Sequence, residues 1–133
     1  MPTFSIGQAA RLLGVSPESV RRWGDAGRLR VERDGSGNRL IDGVSLAAFA
    51  EERARGAHPV PDDVLTSVRN SLTGIVTAVR GDDVLVQVEI QAGPHRVVSV
   101  VSREAVDELG IEVGSTVTAR VKSTNVYVDR PPR

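Results

Sequence analysis

The sequence predicts an α+β protein of two small domains, a mostly helical N-terminal half and a C-terminal antiparallel β-barrel. Two observations carry this. Apolar residues recur at helical spacing up to about residue 55, then alternate along the chain from residue 64 onward. Between these regimes lies RGAHPVPDD, Arg55 to Asp63, with two prolines, a glycine and two acids, which has the composition of a linker. The expected division is therefore residues 1–55, a linker at 56–63, and residues 64–133.

In the first half Ile6, Ala9, Ala10 and Leu13 mark one helix, which Gly14 stops. Ser16 is placed to cap a second helix. Pro17 follows at its first position and Glu18 lies in its first turn. That helix runs from about Pro17 to Ala26, with Val20 and Trp23 three apart on its inner face, and Gly27 ends it. Leu29 to Leu40 reads as a short hairpin. Its turn is RDGSGNR, in which Asp34-Gly35 and Gly37-Asn38 are expected to supply positive φ. A third helix follows to about Arg55, anchored by Leu46 and Phe49.

In the second half LTGIVTAVRGDDVLVQVEIQAG gives two strands around a Gly81-Asp82-Asp83 turn. HRVVSVVS is a third strand. REAVDELGI is one short helix, capped by Ser102 and stopped by Gly110. STVTARV and NVYVD complete five strands, a count that suggests a small OB-like barrel.

Composition removes several classes of function. The chain has 133 residues and no cysteine, so disulfides, thiol catalysis and thiolate-bound zinc or iron–sulfur sites are excluded. This fits a reducing cytoplasm. The N-terminus has no basic region ahead of an apolar run, and no stretch approaches the length of a membrane span. Basic and acidic residues are equal at 17 each, but residues 1–57 hold nine arginines against seven acids, an excess whose sign suits a DNA-binding unit. Aromatics are only 3%, so the cores must be aliphatic; two cores this small would gain from oligomerisation. The two histidines, His58 and His95, lie in the linker and in a turn, and two ligands with no third nearby make no metal site. No nucleophile–base pair or phosphate-cradling glycine loop is present, so an enzyme is not expected.

Two helices joined by GVS, the second carrying SVRRW, form a helix-turn-helix pattern. Small Ala9 and Ala10 suit a helix crossing, while Arg21 and Arg22 project outward toward a groove or phosphates. The stretch FSIGQAARLLGVSPESVRRWGDAGRLRVERDGSGNRLID resembles the MerR/excisionase-like winged helix-turn-helix family. The resemblance implies that Ser16, Ser19, Arg21 and Arg22 lie on a helix that enters the major groove, and that Arg39 belongs to the wing. Arg28 and Arg30 are secondary candidates for DNA contact.

Three elements of the second half fall in order: SVRNSLTGIV at Ser67–Val76, LGIEVG at Leu109–Gly114, and VTARVKSTNV at Val117–Val126. Together they resemble the Mop/TOBE domain, the molybdate-binding fold also called molbindin. The resemblance implies an oxyanion site between subunits, for molybdate or tungstate. Its residues would be Ser67, Arg69, Asn70, Lys122 and Ser123, with a hydroxyl from a partner at the position of Ser102. Where that last element usually carries a second hydroxyl, this chain has Ala105. The chemistry agrees. A tetrahedral dianion offers acceptors only, and SVRN and VKST supply ammonium, guanidinium, amide and hydroxyl donors with no acid among them. Lys122 is also the one lysine in a chain whose other basic residues are all arginine. This donor set favours a fully deprotonated oxyanion and does not distinguish molybdate, tungstate and sulfate.

The expected function is a cytoplasmic, DNA-binding transcriptional regulator whose second domain binds the oxyanion at a subunit interface. Its partners would be DNA, the anion and further copies of itself, as a dimer or an assembly up to a hexamer. The alternatives are a molybdate or tungstate storage oligomer, or a barrel used only for oligomerisation, with the N-terminal head as a protein-interaction module in either case.

Overall fold

The computed structural model describes residues 2–55 and 65–132. The expected linker at 56–63, with His58, lies outside the described residues. The chain divides into two compact units, Met1–Ala57 and His58–Arg133.

In the first unit the element order is β1 (Thr3–Ser5), α1 (Ile6–Leu13), α2 (Pro17–Asp25), β2 (Val31–Arg33), β3 (Arg39–Asp42) and α3 (Gly43–Ala54). Local chemistry sets each helix end. Ser5 and Gln8 form a reciprocal capping box on α1, with Ser5 Oγ accepting from the Gln8 amide at 3.1 Å and Gln8 Oε1 from the Ser5 amide at 2.9 Å. Gly14 ends that helix in the left-handed region at φ 69°, which a residue with a Cβ adopts only at a cost. Ser16 caps α2, accepting from the Ser19 amide at 3.2 Å, and Asp42 caps α3 through the Ser45 amide at 2.9 Å. The core holds Ala9, Ala10, Val20, Leu29, Ile41, Leu46 and Phe49, all buried.

Two features of this unit differ from the sequence reading. A short strand, β1, pairs with β3, and the sheet order is β1-β3-β2. In the wing turn only Gly37 has positive φ, at 82°; Gly35 does not. Asp34 does that work instead. Its Oδ1 accepts from the amides of Ser36 and Asn38, both at 2.9 Å, so the side chain closes the turn without a left-handed residue at position 35.

The second unit contains β4 (Asn70–Gly81), β5 (Leu85–Ala92), β6 (His95–Ser102), α4 (Arg103–Leu109), β7 (Thr116–Val121) and a 3-10 turn at Ser123–Asn125. The sheet is antiparallel in the order β6-β5-β4-β7. Its curl comes from β4, which serves two neighbours in succession. Asn70–Ile75 pair with β7, whereas Ile75–Gly81 pair with β5. A bulge at Thr77 marks the change, and its hydroxyl is tied to the Glu89 carbonyl at 3.3 Å. Val76, Val86, Val88, Ile90 and Val106 form the core.

The expected fifth strand, NVYVD, does not form. Residues 126–130 carry no ladder, and Tyr127 and Val128 are 91% and 90% exposed. Alternation alone does not make a strand; the segment finds no edge to pair with in its own chain. The half-barrel is accordingly open between β6 and β7, around a cleft of about 480 Å³ lined by residues such as Val97, Val101, Leu109, Ile111, Val117 and Ala119.

Candidate functional site

The helix-turn-helix residues lie as follows. Ser16 is the α2 cap, and its hydroxyl also lies 3.1 Å from that of Ser19. Arg22 is exposed and donates to Ser19 Oγ at 3.5 Å. Arg21 forms an ion pair with Glu18, one turn earlier, at 2.6 Å. Arg39 lies at the start of β3 and pairs with Asp25 at the end of α2, at 3.0 Å. Its side chain is 32% exposed, and the pair braces the hairpin against α2. Glu18 and Asp25 thus neutralise two of the candidate residues, a role the sequence alone does not assign them. The first pair was visible as an i, i+3 spacing. The second depends on the hairpin folding back onto α2 and had no local signal.

The wing turn carries a pH dependence. Asn38 and Ser36 donate their backbone amides to Asp34, and these bonds hold its carboxyl below the ordinary value of 3.8. A group whose folded-state pKa is depressed contributes stability that is present above its ordinary value and is lost as pH falls through the lowered one. The turn should therefore loosen only in strong acid. Protection of the Ser36 and Asn38 amides, after division by their intrinsic exchange rates at each pH, should fall there in the native chain. Protection that does not change with pH would remove Asp34 from this role.

In the second unit the register builds the candidate anion site. Asn70 stands opposite Val121, and its Nδ2 donates to the Val121 carbonyl at 3.1 Å. This places the Ser67–Asn70 segment and the Lys122–Ser123 segment at the same end of the β4–β7 pair. Ser67, Arg69, Lys122 and Ser123 are exposed, and Asn70 is half-buried. A second tie comes from Arg120, which sequence reading had not singled out. It donates to Thr66 Oγ at 2.9 Å, and the same oxygen accepts from the Val68 amide at 3.0 Å. The segment leading into β4 is thereby pinned to β7. No ion pair among the described residues engages Arg69 or Lys122.

Ser102 is elsewhere. It pairs with Leu85 at the start of β5, near Gly81 at the far end of β4. Its Oγ accepts from the Ala105 amide at 3.1 Å, which leaves the hydroxyl proton free to be donated. Within one chain, the strand pairing groups Asn70 with Lys122 and Ser123 but does not bring Ser102 to them.

The two units thus define a class: a winged helix-turn-helix head joined to a curled OB-like half-barrel with a donor-only edge. Residues 66–128 match the TOBE domain, and residues 5–41 match the MerR family regulatory proteins. The chain is 38% identical over 63 residues to molybdenum-pterin-binding protein 2 of Clostridium pasteurianum, a match covering 47% of this chain and 93% of that protein. It also resembles the solved structure of MopII from Clostridium pasteurianum, at 36% identity and a TM-score of 0.46, covering 50% of this chain and all of the other. A molybdate-binding protein from Sporomusa ovata gives 25% identity and a TM-score of 0.49 over the same shares. Through its C-terminal unit the chain belongs to the TOBE family with the molybdenum-pterin-binding proteins, and its N-terminal unit resembles the MerR family over residues 5–41.

Proposed function

We propose that the chain is a DNA-binding transcriptional regulator that responds to molybdate or tungstate. The observation that carries the anion half is the β4–β7 register. It groups Asn70 with Lys122 and Ser123, close in sequence to Ser67 and Arg69, as a donor set without a carboxylate. Such donors suit a dianion through charge-assisted hydrogen bonds. The position of Ser102 at the far end of the sheet favours a site completed by a second subunit, with one chain giving Lys122 and Ser123 and another giving Ser102. The open β6–β7 cleft and the unpaired apolar tail at Tyr127 and Val128 support assembly of this unit with further copies. The names of the matched curated relatives, molybdenum-pterin-binding proteins, support the ligand class. The absence of cysteine fits action in the cytoplasm. Among the described residues, no helix is long and apolar enough to cross a membrane.

The DNA half rests on α2 and the wing. Ser16, Ser19, Arg21 and Arg22 would meet the major groove or its phosphates, and Arg39 would hold the wing. Anion binding would alter the spacing of paired heads, and only through unequal affinity for the two arrangements. One combined experiment tests this: calorimetric titration of the whole chain with molybdate and tungstate, light scattering with and without anion, and DNA binding at several salt concentrations. Anion binding without any salt-sensitive DNA binding would favour the second reading, a storage oligomer. That reading draws support from the matched relatives, which correspond to the C-terminal unit alone.

A prediction follows from the ion pair on the reading helix. Removing the Glu18 charge with Glu18→Gln frees Arg21 and should raise DNA affinity about two- to threefold at low salt. A fluorescence-anisotropy titration checks it. An unchanged or weakened affinity would show that Arg21 does not face DNA.

A further inference from the structure

Four side chains behind the reading helix form an alternating stack. Arg53 lies over the Trp23 ring at 5.1 Å from its centroid. Trp23 meets Phe49 at 4.9 Å between centroids, tilted by 50°. Arg28 lies over the Phe49 ring at 5.0 Å. The order Arg53–Trp23–Phe49–Arg28 alternates in origin. Phe49 and Arg53 sit one turn apart on α3, whereas Trp23 belongs to α2 and Arg28 to the segment just after it. The two helices are therefore interleaved, with buried Phe49 at the centre and an exposed guanidinium at each end.

The two guanidiniums differ from those of Arg21 and Arg39. Among the described residues neither Arg28 nor Arg53 has a carboxylate partner. Each is held by a ring face. An aromatic face attracts either kind of cation, and a planar guanidinium adds contact area that an ammonium lacks. Trp23 itself shares α2 with Arg21 and Arg22, so whatever fixes its ring fixes the direction in which those residues project.

We propose that Arg53 and Arg28 are positioning residues that hold the reading helix at its angle by stacking on Trp23 and Phe49, and that neither serves as a phosphate contact. This rests on the DNA reading given above and adds residues to which that reading assigned no such part. The distinction has consequences. A phosphate contact releases a counterion, so its loss lowers the salt slope of DNA binding. A cationic clamp on an aromatic face is made already in the free chain, so its loss loosens the ring and leaves that slope unchanged.

The test uses the full chain and two readouts. Trp23 is the single tryptophan, so its emission reports this stack alone. In the free protein, acrylamide quenching of Trp23 should increase in Arg53→Ala and Arg53→Gln and less in Arg53→Lys. For DNA, Arg53→Ala and Arg53→Gln should weaken binding about two- to fivefold. The slope of log affinity against log salt should remain native in both. Arg28, which lies over Phe49, should follow the same pattern in the DNA readout. A weakened Arg53→Gln whose salt slope falls by about 0.9, with Trp23 quenching at the native level, would make Arg53 a phosphate contact and overturn the proposal. Unchanged quenching in Arg53→Ala would remove the stack whatever the DNA result. A native chain with no salt-sensitive DNA binding would instead remove the DNA reading, and with it the purpose given to the stack.

Discussion

Lys122→Ala should lower the affinity of the chain for molybdate by about ten- to a hundredfold, the usual worth of a hydrogen bond to a charged group. The residue stands at the turn where β7 ends, beside Ser123 and next to the Asn70–Val121 tie. It is exposed in the single chain, so its removal should leave the sheet intact and the thermal transition unmoved. Lys122→Arg should fall between the two, because a broad planar group replaces a compact point charge but keeps the positive charge. Calorimetry on the native chain and both variants reads the effect directly. Equal affinity in Lys122→Ala would sink the assignment of the site, however well the rest of the barrel behaved.

Gly74→Ala should be among the most damaging single changes to the second unit. A Cβ at Gly74 would run into the carbonyl oxygen of Gln91, which is backbone of β5 and cannot swing aside. Relief requires β4 and β5 to part just where β4 passes from one neighbour to the other. The cost should be about 3 kcal/mol, near the upper end for overpacking. In a unit of this size that should lower the midpoint of its thermal transition by about 10 °C or more. Strand circular dichroism follows that transition, and Trp23 emission from the N-terminal unit provides the control. A variant that melts like the native chain would show that β4 and β5 do not approach as described.

The helix ends were legible because each is decided by chemistry within four residues. Ser16 with Pro17, Ser102 with Glu104, and the stops at Gly14 and Gly110 all lie where the sequence puts them. What depends on distant partners was not legible. The three residues of β1 are a strand only because β3 runs beside them. NVYVD alternates as a strand should, yet alternation supplies no partner. The same division runs through the candidate sites. The donor character of SVRN and VKST could be read directly, but their convergence depends on the pairing of Asn70 with Val121, fifty-one residues apart. Arg39 was assigned to the wing from its neighbours; that Asp25 holds it emerges only once the hairpin has folded onto α2.

If the proposed function holds, the carboxylates opposite Arg21 and Arg39 set how long the protein stays on DNA. On the proposed function, a reading face with two of its three arginines already matched has little hold on arbitrary sequence, so a lone head should leave most stretches of duplex quickly. Two heads joined through their C-terminal units would behave otherwise, since the second would rebind at a high effective concentration before the first let go. Residence time on an operator would then be set by how many heads the assembly presents and how far apart it holds them, more than by the grip of any one helix.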